Sequence, residues 1–175
     1  KSYYKDINGV PYLYSVDGYY YLRLVRNIEE IGTQCYERDG VYGFDPLRGV
    51  HGSGCRSSLF AALSHKIFAV LSLFGYNDIS ETHSMIPVML GLLSVVLVFM
   101  IGKNIFNPWV GFLAAAVFSF TTKIYAITRF GFSDNNPLNI LLSLIAVFAY
   151  IKFLDVFLRK KGYLDWRTYI WLVVL

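Results

Sequence analysis

Asp17, Arg129, Asp134 and Asn136 are the residues of this chain best suited to polar chemistry. Asp17 opens "VDGYYYLRLVRNIEE", residues 16–30, ahead of three tyrosines and two arginines. Asp134 lies in "TRFGFSDNNPLNILL", residues 128–142, with Arg129 upstream and Asn135, Asn136 and Pro137 directly downstream. Two carboxylates and a guanidinium suit a divalent cation and a phosphate-bearing substrate. Hard cations such as Mg2+ take oxygen ligands, often one or two carboxylates, and complete the shell with water and substrate oxygens. A helix opening near Asn136 also turns its positive end towards any phosphate there. Each residue has a plainer reading as well. Asp17 can cap a helix that ends at Gly32. Asn136 before Pro137 can cap the next helix, and Asp134 beside Arg129 can be an ordinary interface residue. Spacing by itself does not choose between these readings.

The elements that must position these groups are apolar. The 175 residues are 55% hydrophobic and only 16% charged, whereas a soluble domain carries about a quarter charged residues. The excess falls in uninterrupted runs, the mark of bilayer-spanning helices. Glu81 and Lys103 have no Asp, Glu, Lys or Arg between them. We expect spans at about 84–102, 109–127 and 137–157, a fourth opening at 168–175, and an extracytoplasmic loop at 128–136. Pro87 would then fall in the first turn of its span, where a lost N–H matters least. Residues 1–83 read as a first extracytoplasmic loop with amphipathic helices lying at the interface. The start without Met and the end on "YIWLVVL" read as a piece of a longer protein. The net charge of +4 contains no dense basic tract, which argues against nucleic acid.

Residues 57–75, "SSLFAALSHKIFAVLSLFG", decide the topology. Ser58, Ala62, His65, Ala69 and Ser72 form a small and polar stripe, and Leu59, Leu63, Ile67, Val70, Leu71 and Phe74 an apolar one. A central charge costs about 2.5–3.5 kcal/mol on insertion scales, and Lys66 sits there. That cost favours a helix lying flat over one that crosses. The basic stretch "LRKKGYLDWR", residues 158–167, belongs in the cytoplasm by the positive-inside rule. Counting back puts Asp134 outside and, if residues 57–75 lie flat, Asp17 on the same side. If they cross, the two carboxylates face different compartments. Cys35 and Cys55 both fall in the first outer segment, where a disulfide and two separate thiols are equally open. Tyr19, Tyr20 and Tyr21 read as packing and interface anchors.

Three stretches, "VDGYYYLRLVRN", "GFDPLRGVHG" and "RFGFSDNNPLNILL", resemble in that order the characteristic elements of the oligosaccharyltransferase catalytic subunit, above all its archaeal form. The likeness covers nearly the whole chain. It implies an all-α polytopic membrane protein, part of a GT-C-type glycosyltransferase membrane domain. It implies that Asp17 and Asp134 are catalytic and bind Mg2+ or Mn2+, and that Arg129 contacts the donor pyrophosphate. Asn136 stands in place of the family's second acid, as a neutral oxygen ligand or only a cap. His51 stands where a proline is common and reads as a loop residue.

The implied reaction moves an oligosaccharide from a polyprenyl or dolichyl (pyro)phosphate lipid to the Asn of Asn-X-Ser/Thr. The implied partners are that lipid-linked donor, an acceptor polypeptide and membrane lipid. The implied location is the cell membrane of an archaeon, with the active site on the extracytoplasmic side. The family's third metal-site carboxylate and its Trp-Trp-Asp-type motif are not in this chain, so we expect it to be inactive alone. Rivals are a protein O-mannosyltransferase, whose Asp-Glu pair is absent near Asp17, and a non-catalytic assembly or transport subunit. A transporter should carry ionisable residues near midspan, and residues 84–102 and 109–122 have none.

Overall fold

A computed structural model describes residues 13, 16–34, 44–45, 50–51 and 57–159. The chain is helical, with one small strand pair among the described residues: α1 (Val16–Ile31), β1 (Phe44–Asp45), β2 (Val50–His51), α2 (Leu59–Ser72), α3 (Ile79–Ile105), α4 (Pro108–Phe120), α5 (Thr122–Thr128) and α6 (Asn136–Arg159). β1 and β2 are antiparallel, with Phe44 opposite His51 and Asp45 opposite Val50. His51 is therefore a strand residue rather than a loop residue. Contacts divide the chain into two compact units, the first Lys1–Pro87 with Phe130–Asp134, the second Val88–Arg129 with Asn135–Leu175.

In the first unit, α1 packs along α2. Leu24, Val25 and Ala61 are fully buried, with Tyr20, Tyr21 and Ile79 packed against them. Gly32, at φ 76°, ends α1 by returning its N–H to Ile28 O at 3.0 Å, the αL stop that glycine supplies most readily. At 14 residues, α2 is roughly 21 Å long, from a rise of 1.5 Å per residue, which is short of a bilayer core. It buries Phe60, Ala61, Ser64 and Phe68. That face lies between the two stripes expected from sequence, and Leu59, Val70 and Phe74 are exposed. His65 faces Glu29 of α1, Nε2 to Oε2 2.9 Å, so its polar ring meets protein.

α3 begins earlier than the apolar run. Asp78 Oδ1 accepts from the N–H groups of Ser80 and Glu81, adding a polar first turn and making a helix of 27 residues. Pro87 consequently lies inside α3, not in its first turn.

In the second unit, α5 packs against α4 and α6. α3 and α6 are each long and apolar enough to cross a membrane, and α4 with α5 makes a third span if the bent pair counts as one. The continuous span expected at 109–127 is broken, because α4 and α5 meet at 68°. Thr121 is extended at the break, and its Oγ1 donates back to Val117 O at 2.9 Å. Ser119 does the same to Ala115 O at 2.7 Å. Such back-bonding loosens and bends helices. Glycine allows close backbone approach here: a Cβ on Gly102 would stand 2.7 Å from Gly111 Cα, and one on Gly91 2.7 Å from Thr128 Cβ. Small residues at helix contacts are the usual solution where lipid offers no hydrophobic drive. The expected fourth span at 168–175, Cys35 and Cys55 lie outside the described residues.

Candidate active site

Asp17 occupies the first turn of α1, one residue inside the helix and not at its cap. It is exposed, and a carboxylate in that turn is favoured by the helix dipole. Asp134 belongs to the same unit and is half-buried in the loop ahead of α6. Its N–H donates to Phe132 O at 2.9 Å.

The residues next to these two acids meet. A Cβ built on Gly18 would stand 3.2 Å from the main-chain oxygen of Ser133. The first turn of α1 therefore lies against the loop that carries Asp134, at a separation that leaves little room for a larger residue at 18. The charge of both carboxylates also acts on one phenol. The Tyr21 hydroxyl is held above the ordinary tyrosine range by burial first, then by the negative charge of Asp134, then of Asp17, then by Tyr20. The Tyr21 ring is fixed edge-on to Phe60 at 5.4 Å. So a neutral hydrogen-bond donor stands within the field of both acids.

Arg129 caps the C-terminal end of α5, and Asn136 is the first residue of α6; both are exposed and both belong to the second unit. The cap position of α6 goes to Asn135, whose carbonyl accepts Asn139 N–H at 3.1 Å. Asn136 is thus not the cap that the Asn-Pro pattern suggested. Pro137 follows as the second residue, where its missing N–H leaves no helical bond unmade.

Sequence reasoning passed over His83, Ser133 and the contact at Gly18. Ser133 Oγ donates to His83 O at 3.1 Å and Gly131 N–H to Ser84 O at 3.0 Å. The legible signal was Pro87, four residues after His83, because a proline inside a helix releases the carbonyl one turn back.

Two carboxylates on adjoining segments suit a hard divalent cation that draws its remaining ligands from water and substrate. Among the described residues no group of three or more His, Cys, Asp or Glu gathers into a fuller ligand set. Two carboxylates are the donor type such a cation takes, but by themselves an incomplete set.

The chain matches a protein-family model described as "Oligosaccharyl transferase STT3, N-terminal" over residues 1–173. It belongs to that glycosyltransferase family, whose N-terminal region is an integral membrane one. Among particular proteins it is similar to dolichyl-phosphooligosaccharide-protein glycotransferase 1 of Pyrococcus furiosus and to the protein of the same name from Pyrococcus horikoshii. Each is 33% identical over 64 residues, which is 37% of this chain and 6% of the relative. The matched stretch is thus a small part of those relatives' length. No solved structure matches the chain.

Proposed function

We propose that this chain is the N-terminal membrane part of an oligosaccharyltransferase of archaeal type. The enzyme moves an oligosaccharide from a dolichyl or polyprenyl (pyro)phosphate lipid to the asparagine of Asn-X-Ser/Thr at the extracytoplasmic face. Family membership and the two Pyrococcus relatives support the class of reaction. The observation that carries the site is the contact between Gly18 and the Ser133 carbonyl, which sets the turn bearing Asp17 beside the loop bearing Asp134.

An amide nitrogen is a weak nucleophile because its lone pair is delocalised into the carbonyl. Asp17 and Asp134 accept hydrogen bonds from the acceptor amide protons, hold the nitrogen towards the anomeric carbon and favour its attack. The carbon–nitrogen bond forms as the bond to the lipid phosphate breaks, the electron pair leaves on the phosphate, and the nitrogen gives up one proton to a carboxylate oxygen or to water. Both carboxylates would also hold Mg2+ or Mn2+, which would supply stabilisation of negative charge on phosphate oxygens. Arg129 and Asn136 keep the roles that the resemblance gives them, a pyrophosphate contact and a neutral oxygen ligand. The Tyr21 phenol stays protonated and adds a donor within reach of the pair's charge.

The test is peptide glycosylation by the full-length enzyme. Loss of a charge-stabilising contact in such a site lowers rate by about 10²–10³, and we expect Asp17→Ala and Asp134→Ala each to fall at least that far with expression intact. Mapping the product should place the sugar on Asn. Near-normal turnover in either variant, or sugar on Ser or Thr, contradicts the proposal.

A further inference from the structure

Pro87 has no N–H, so the His83 carbonyl lacks its partner within α3. Ser133 Oγ fills that position at 3.1 Å, and the next carbonyl, Ser84, accepts Gly131 N–H at 3.0 Å. The loop that ends in Asp134 is therefore fastened to two successive carbonyls of α3. The ring of the same histidine lies near the first turn of α1, which carries the other carboxylate. The His83 imidazole is 1% exposed and packs edge-on to Phe60 at 5.5 Å. The Gly18 backbone, one residue from Asp17, lies at the margin of hydrogen-bond reach of that ring, without the geometry of a formed bond. Yet neither Nδ1 nor Nε2 has a hydrogen-bond partner among the described residues.

A neutral imidazole carries one N–H donor and one acceptor, and buried polar atoms without partners are rare enough to call for a reason. Packing is not that reason, because a phenylalanine beside Phe60 would fill the space and leave no polar atom bare. Hydrogen bonds at catalytic sites are often long without substrate and tighten in the complex.

We propose that His83 is a positioning residue for the carboxylate pair. Its main chain fixes the Asp134 loop, and a ring nitrogen hydrogen-bonds the first turn of α1 to hold Asp17 when substrate engages. This role rests on the reading of Asp17 and Asp134 given above.

The test uses the full-length enzyme with an acceptor peptide and four variants: His83→Phe, His83→Gln, Ser133→Ala and Asp17→Ala. A misplacement of about 1 Å costs up to about 10²-fold. His83→Phe should keep or raise the thermal unfolding midpoint, leave KM for peptide unchanged and lower kcat by about 10–100-fold. His83→Gln, which restores a polar group, should recover most of that loss. Ser133→Ala should lower kcat several-fold at constant KM.

Wild-type kcat in His83→Phe overturns the proposal, as does a glutamine variant no better than the phenylalanine one, or full activity in Ser133→Ala. If His83→Phe does not accumulate, Ser133→Ala decides by itself. Full activity in Asp17→Ala removes the carboxylate reading and this role together. An inactive Asp17→Ala beside an active His83→Phe removes only the role of His83.

Discussion

The two units satisfy polar groups in an apolar chain differently. Both turn hydroxyls back on their own helix, as Ser64, Ser72 and Ser84 do in the first, but side-chain bonds between distant segments gather in the first. In the first unit, side chains reach far along the sequence. Arg26 donates to Ser80 Oγ at 2.8 Å, Gln34 to Ser58 O at 3.0 Å, His65 meets Glu29, and Ser133 is bound to His83. In the second unit, hydroxyls turn back on their own helix. Ser94 donates to Leu90 O, Ser119 to Ala115 O, Thr128 to Ile124 O and Ser143 to Asn139 O. Lys152, which donates to Asn104 Oδ1 at 2.9 Å, is an exception that joins two helices.

The difference follows from the solvent. Hydrocarbon offers no partner, so each polar group in a span is best satisfied within its own helix, and helices then meet through glycine. At the water boundary, polar side chains can cross between segments, and that is where charged groups can be assembled for chemistry. Positional precision lies in the first unit, close packing in the second.

That contrast can be broken most sharply at the carboxylates. The double variant Asp17→Ala/Asp134→Ala should glycosylate no more slowly than the worse single variant, because groups that act as a unit are strongly non-additive. Losses that multiply would mean that the acids work separately. The next largest effect belongs to the glycine contacts. A Cβ on Gly111 would stand 2.6 Å from Phe99 O and 2.8 Å from Lys103 N, backbone atoms that cannot step aside. Gly111→Val should destabilise by about 1–3 kcal/mol, as overpacking does, read as a lower unfolding midpoint in detergent. Arg26→Ala should cost about 1 kcal/mol through the bond to Ser80, with smaller change in the midpoint. If the order of these two reverses, the packing contrast drawn here is wrong.

The smallest effect is on Tyr21. Its pKa is raised above an ordinary value of about 10. In the window between those two values the unfolded chain has lost the proton and the folded chain keeps it. Stability is therefore intact below the ordinary value and declines as pH climbs through the raised one. Asp134→Asn should bring the Tyr21 pKa down more than Asp17→Asn does, since Asp134 is the larger of the two charge effects. Ring-carbon NMR of labelled tyrosine, assigned with Tyr21→Phe, measures both. Equal or absent shifts would show that the phenol does not sense the pair.

Much of this arrangement is legible in the sequence where a local rule governs it. The helix of α1, its glycine stop, and the apolar lengths of α3 and α6 follow from pattern and composition. The break at Thr121 escapes a hydropathy window because Ser119 and Thr121 barely lower its average, while their hydroxyls compete for helix carbonyls. The face that α2 buries is not legible from its two stripes, because exposure to lipid and burial in protein both select apolar side chains and periodicity alone does not separate them. Pro87 was assigned to a first turn because the polar turn that Asp78 caps does not look like part of a span. Residues 17 and 134 were legible as chemistry-bearing residue types. The contact at Gly18 depends on where two distant segments come to rest, and no local spacing reveals it.

One measurement bears on the shared site most directly. In full-length protein with Cys35 and Cys55 replaced by serine, Asp17→Cys and Asp134→Cys are combined and treated with a short bifunctional thiol reagent in sealed vesicles. The account predicts that a membrane-impermeant reagent modifies both positions from one face and that the bifunctional reagent joins them within a single chain. Modification of the two positions from opposite faces of the membrane would contradict it.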